Sequence, residues 1–245
     1  MRPIVFALFL ASTISCPSNA AIFGIDDREY VSTAPGSPYS PIGLVKGFGA
    51  YTTGTLINRC DVLTVEHPAE KWRDPTGERV TFFGAIGSGH QRWSDGTIIA
   101  AGGISLKRSD RRNIQSTGSD WMIARLDDCL GDKLGWARLG TSEAWPTEND
   151  PRHLQEAGFP MDRDRKLGLS LDPACAIRGV ADRMLFHDCA TMPGNSGGPI
   201  FRLVTIDGVQ RMEIVGMVTA AQNWSHAKEP VQGTENIALA AFNIR

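Results

Sequence analysis

Thr191-Met192-Pro193-Gly194-Asn195-Ser196-Gly197-Gly198-Pro199, followed by the strand-like Ile200-Phe201, is the stretch that makes the rest of the chain readable. Glycines on both sides of a serine let the backbone enter turns closed to other residues. Two peptide N–H groups, those of Gly194 and Ser196, can then converge beside the hydroxyl. Such a serine is a candidate nucleophile with an oxyanion hole built in. Taken alone, Gly-Asn-Ser-Gly-Gly also reads as a flexible turn, so the flanking chain has to supply a base.

Gly194 to Gly198 also fits G-x-S-x-G, the elbow in which an acid and then a histidine follow the serine. Chain order excludes that arrangement. Too little chain follows Ser196 for the remaining α/β layers, and His226 is the only later histidine. Upstream, the run from Leu56 to Val65-Glu66-His67 ends an apolar strand pair in a histidine. Ser119-Asp120-Trp121-Met122-Ile123-Ala124-Arg125-Leu126 sets an aspartate just before a strand that reads as buried. His67, Asp120 and Ser196 therefore stand in the order His, Asp, Ser, one of the orders in which a catalytic triad is known to occur.

Around these segments helical periodicity is scarce. Short apolar or alternating runs recur between Gly, Pro, Asn and Asp clusters: Gly43–Val45, Gly54–Ile57, Val80–Ile86, Thr97–Ala101, Trp121–Leu126, Leu167–Leu171, Ile200–Val204 and Ile214–Thr219. That pattern predicts an all-β chain of antiparallel strands, because tight turns leave no room for the crossovers that parallel pairing needs. A polar, turn-rich stretch from Gly140 to Asp150 divides it. The expected domains are residues 21–140, carrying His67 and Asp120, and residues 141–245, carrying Ser196. Asp162 to Lys166 reads as a solvated loop, and Ile237 to Phe242 as one short closing helix.

The 245 residues are 42% apolar, enough for one large core or two small ones. With 25 basic and 27 acidic residues the formal charge is -2, which gives no pull toward nucleic acid or an anionic membrane. Met1-Arg2, an apolar run from Ile4 to Ala11 and a polar close at Ser18-Asn19-Ala20 have the layout of a secretory signal over residues 1–20. The run is too short for a membrane span. Cys16 suits a lipoprotein site poorly, since Thr13-Ile14-Ser15 precedes it. The expected location is secreted or periplasmic. In such a compartment Cys60, Cys129, Cys175 and Cys189 can form two disulfides, with three pairings open; four buried free thiols are the alternative. No Cys or His spacing, including that of His90, His153, His187 and His226, matches a metal site, so neither metal nor cofactor is expected. The tryptophans read as packing residues. Asn223-Trp224-Ser225 is a formal glycosylation sequon.

At this point the chain resembles the trypsin-like serine protease family, in particular the bacterial branch that includes the glutamyl endopeptidases. Ser196 corresponds to the serine of the family's G-[DN]-S-G-G-P, His67 to the histidine of T-A-A-H-C, and Asp120 to the aspartate of D-[WIL]-A-L-L-[RK]-L. Gly24 to Arg28, Ile42-Gly43 and Gly54-Thr55-Leu56-Ile57 look like that branch's early strands, so the resemblance runs from about Gly24 to Ala221. It implies two six-stranded antiparallel β-barrels with the triad between them, a polypeptide substrate and an acyl-enzyme mechanism. A monomer is expected. It also implies that Cys60, which lacks the usual partner after the histidine, pairs with Cys129, and Cys175 with Cys189. The second bridge closes a loop of about 15 residues, worth about 3 kcal/mol.

Departures matter for function. Thr64-Val65-Glu66-His67-Pro68 replaces T-A-A-H-C, and Glu66 is expected to face solvent. Asn195 stands where animal digestive relatives carry the aspartate that receives a new N-terminal amine; trimming near Ala21 to Ile25 is the candidate activation step. By the same resemblance the floor of the substrate pocket falls at Ala190, and Thr219, Ala220 and Ala221 form one wall. None is charged, and Val218 stands where glutamyl endopeptidases use a histidine. Small or medium apolar residues before the cleaved bond are therefore expected. The rival readings are a catalytically silent binding module with this fold and an esterase using the same triad.

Overall fold

Alternation decides the first sheet. Arg79–Gly84 and Met122–Leu126 bury every second side chain, the two-residue period of strands with one face in a core. The computed structural model describes residues 22, 25–69, 71–72, 74–103, 118–141, 154–181, 184–221, 236–241 and 244. The expected export segment, most of the connecting stretch, His153, His226 and the sequon lie outside them.

After a short strand β1 (Glu29–Val31) come β2 (Ile42–Gly47), β3 (Ala50–Leu56), β4 (Asp61–Thr64), β5 (Arg79–Gly84), β6 (Arg92–Ala101) and β7 (Met122–Leu126). The last six close into an antiparallel barrel in the order β2-β3-β4-β7-β6-β5. Its interior holds Val45, Leu56, Val62, Val80, Phe82, Ile98, Met122 and Leu126, with Leu134 of a short helix, Gly131–Leu134, as a plug. Burying a side chain such as Phe82, which has no exposed surface, contributes roughly 1.5–3 kcal/mol.

The second sheet is built from β8 (Arg138–Leu139), β9 (Leu154–Gly158), β10 (Leu169–Cys175), β11 (Ile177–Ala181), β12 (Met184–His187), β13 (Pro199–Ile206), β14 (Val209–Ala221) and β15 (Asn236–Ala240). It also takes in β1, which pairs with β10, while β8 lies parallel to β14. The two-barrel architecture thus takes the form of one closed six-stranded barrel and one nine-stranded half-barrel, rather than two barrels of six. Leu63 and Val65 pack on Met184, Met217 and Leu239, joining the two sheets directly.

The closing helix expected over Ile237 to Phe242 is corrected here, since Asn236–Ala240 is a strand bonded to β14 on one side and β12 on the other. A short apolar run buried on both faces has no period that separates strand from helix, and pairing on two sides decides it. Cys60 is bonded to Cys129 and Cys175 to Cys189, as the family resemblance implies. Among the described residues no helix is long and apolar enough to cross a membrane.

Candidate active site

His67 opens a single turn of 3-10 helix, His67–Ala69, just after β4. Its Nδ1 lies 2.8 Å from Asp120 Oδ2, with the aspartate side chain 3% exposed and the histidine 24%. The other carboxylate oxygen, Oδ1, accepts the backbone N–H groups of Glu66 and His67, each at 2.9 Å. Asp120 is thus fixed by two peptide donors while its free oxygen faces the ring. Glu66, expected to face solvent, is instead buried, and its Oε2 accepts the Gly103 N–H at 3.0 Å. The strand end turns this side chain inward against the loop that follows β6.

Ser196 is half-buried at a turn between β12 and β13. Two strands hold that turn from opposite sides. Thr53 of β3 donates its N–H to the Ser196 carbonyl at 2.9 Å, and Gly197 donates to the Val218 carbonyl of β14 at 2.8 Å. Thr53 Oγ1 further donates to the Gly194 carbonyl at 2.8 Å, and Thr64 Oγ1 donates to the Thr53 carbonyl at 2.7 Å. Since Thr64 ends β4 three residues before His67, the serine turn and the histidine are tied to the same pair of strands. Gly197 has φ 87°, and a Cβ there would lie 2.1 Å from the Thr53 carbonyl oxygen, so a side chain is excluded by shape as well as by dihedral angle.

Among the described residues the N–H groups of Gly194 and Ser196 donate to no protein acceptor, and Ser196 Oγ makes no hydrogen bond to His67. Nucleophile and base are often looser without substrate than in the reacting complex. Of the expected pocket residues, Ala190 and Thr219 are buried, while Ala220 and Ala221 continue β14, with side chains outside the described set. Ala190, the expected floor, has a support that the sequence did not reveal. Asp172 Oδ2 accepts the Ala190 N–H at 2.6 Å, and Asp172 Oδ1 accepts that of Ala174 at 3.1 Å.

A match to the trypsin family model covers residues 35–236. The chain belongs to the trypsin family. Among solved structures, one of a Glu endopeptidase in complex with MPD resembles this trypsin-family chain with a TM-score of 0.59. The two are 18% identical, and the likeness covers 90% of this chain and 93% of the other; at that identity it speaks for the chymotrypsin-like fold alone. No curated protein matches.

Beneath the serine turn of this trypsin-family chain sits a carboxyl group that no motif announced. Glu156 has no exposed surface, and both its oxygens lie 3.0 Å from Asn195 Nδ2. Burial, with Asp172 nearby, pushes the Glu156 carboxyl well above the usual carboxylate range against the opposing pull of Arg28 and the Asn195 bond. The folded chain then retains a proton that the unfolded chain has released. Stability should fall as pH rises from about 4.5 toward the folded value, by at most about 1.4 kcal/mol per pH unit from this group. Glu156→Gln should flatten the fall of melting temperature between pH 5 and 8. Parallel profiles for wild type and variant would contradict the assignment.

Proposed function

We propose that the chain is an exported serine endopeptidase in which His67, Asp120 and Ser196 form the triad. The observation that carries the reading is the His67–Asp120 pair at 2.8 Å, with the second aspartate oxygen pinned by two peptide N–H groups. In this arrangement Nδ1 of the imidazole keeps its proton, leaving the Nε2 lone pair to accept the Ser196 proton as Oγ attacks a peptide carbonyl. The unoccupied N–H groups of Gly194 and Ser196 suit the oxyanion that forms. Collapse passes the proton from His67 to the leaving amine and leaves an acyl group on Ser196. Water, deprotonated by the same histidine, releases it.

By the family resemblance Ala190, Thr219, Ala220 and Ala221 fall on the side that receives the residue before the bond, and these small uncharged residue types suit an apolar side chain. Export accords with the signal-like segment and with two disulfides, which persist in oxidising compartments. Treatment with a fluorophosphonate probe followed by intact-mass measurement tests the triad. Wild type should gain one adduct, and Ser196→Ala and His67→Ala none. A folded wild type that stays unlabelled favours the silent binding module.

A further inference from the structure

Arginines that fold away from solvent in this molecule mostly find carboxylates. Of the described arginines that are buried or half-buried, Arg28 bonds Asp26 and Asp162, Arg163 bonds Asp26, and Arg202 bonds Glu213. Arg165 is half-buried and has no such partner among the described residues. Its Nε donates to the Phe159 carbonyl at 3.0 Å, which fixes the plane of the guanidinium. Its Nη2 reaches the serine turn, since a Cβ on Gly194 would lie 2.8 Å from it. Burial lowers the Arg165 pKa, as expected of a cation without an anion beside it.

A second cation shares the place. Arg165 Cζ and Lys46 Nζ each lie 5.9 Å from the centre of the Tyr51 ring, which is largely exposed on β3. The ring holds both without neutralising either. Tyr51 is two residues from Thr53, the residue that grips Ser196 from the side opposite β14. The acyl-side wall, Thr219 to Ala221, belongs to β14. Arg165, Tyr51 and Lys46 therefore flank the half of the cleft left to the departing chain.

Resting on the protease reading above, we infer that Arg165 and Lys46, set around Tyr51, form a subsite for an acidic side chain within the first three residues after the cleaved bond. The planar fork of Arg165, already anchored through Nε, is suited to a two-point bond with a carboxylate. Lys46 adds charge from the open side.

The test is digestion of a proteome-derived peptide pool, with the new N-termini read by mass spectrometry. Wild type should enrich Asp and Glu in the first three positions after the cut by roughly three- to tenfold. Arg165→Gln should flatten that profile, and Arg165→Glu should turn it toward Lys and Arg, with the residue before the cut unchanged. Lys46→Glu, on an exposed side chain, should shift it in the same direction to a smaller extent and covers the case that the Arg165 variants misfold. Profiles without acid enrichment, profiles that ignore all three substitutions, or enrichment before the cut would overturn the inference. So would an uncut pool. In that case fluorophosphonate labelling separates the causes: no adduct on Ser196 means that the protease reading itself has failed.

Discussion

Asp120→Asn should leave the protein folded and lower kcat for peptide hydrolysis by about 10⁴-fold, the size associated with a wrong imidazole tautomer in a Ser-His-Asp triad. The geometry leaves the asparagine little choice. Oδ1 of Asp120 faces two backbone donors, the N–H groups of Glu66 and His67, so the amide oxygen has to stay there. The amide nitrogen is then forced onto the Oδ2 position, 2.8 Å from His67 Nδ1, where it donates. Nδ1 must present its lone pair, the ring proton moves to Nε2, and Nε2 can no longer take a proton from Ser196. The opposite orientation would set three donors against one another and leave them unsatisfied, at a cost of about 1–3 kcal/mol each. Steady-state kinetics beside a thermal melt separate this effect from unfolding. A variant that keeps kcat within tenfold of wild type would remove Asp120 from the mechanism.

The parts of the site that were legible in the sequence are those whose chemistry is written locally. Glycines beside Ser196, a histidine at a strand end and an aspartate before a buried strand can each be recognised within ten residues. The residues that assemble them could not be. Thr53 reaches Gly194 across 141 positions of sequence, and nothing in Ala50–Leu56 distinguishes that threonine from Thr52 or Thr55. Nothing in the sequence marks Glu156; only the course of β9 beneath the serine turn brings it to Asn195. Glu66 misled for a related reason: a charged residue beside an exposed turn is normally solvated, but here the Gly103 N–H draws it inward. Asp162 to Lys166 is largely solvated, with Asp162, Asp164 and Lys166 exposed, and what the run did not show is that Asp162 bonds Arg28 and Arg165 meets Phe159 and Tyr51. At the C-terminus, the apolar residues from Ile237 onward carry no period of their own, and only the neighbouring strands make them β15.

Gly197→Ala should be the most damaging small substitution in the serine turn, and Gly208→Ala is its control. Both glycines have positive φ, 87° and 76°, so both alanines bear the left-handed penalty of about 1–2 kcal/mol. They differ in surroundings. A Cβ at Gly208 meets nothing within 4 Å, whereas one at Gly197 lies 2.1 Å from the Thr53 carbonyl oxygen and 2.6 Å from Thr64 Oγ1. Those atoms are not a pliable side-chain end. The Thr53 carbonyl accepts the Thr64 hydroxyl, and the Thr53 N–H holds the Ser196 carbonyl, so relief of the clash moves Ser196 and the neighbouring N–H groups of the serine turn together. Gly208→Ala should lower the melting temperature by roughly 2–8 °C with activity unchanged. Gly197→Ala should lower it by roughly 10 °C, from a loss of about 3–5 kcal/mol. Where the variant is still folded, it should reduce kcat/KM by at least about 10²-fold, the scale of one misplaced oxyanion donor. If the two variants instead melt and turn over substrate alike, the close approach of the serine turn to β3 is not what positions Ser196, and the link from Thr53 through Thr64 to His67 loses its role in the mechanism.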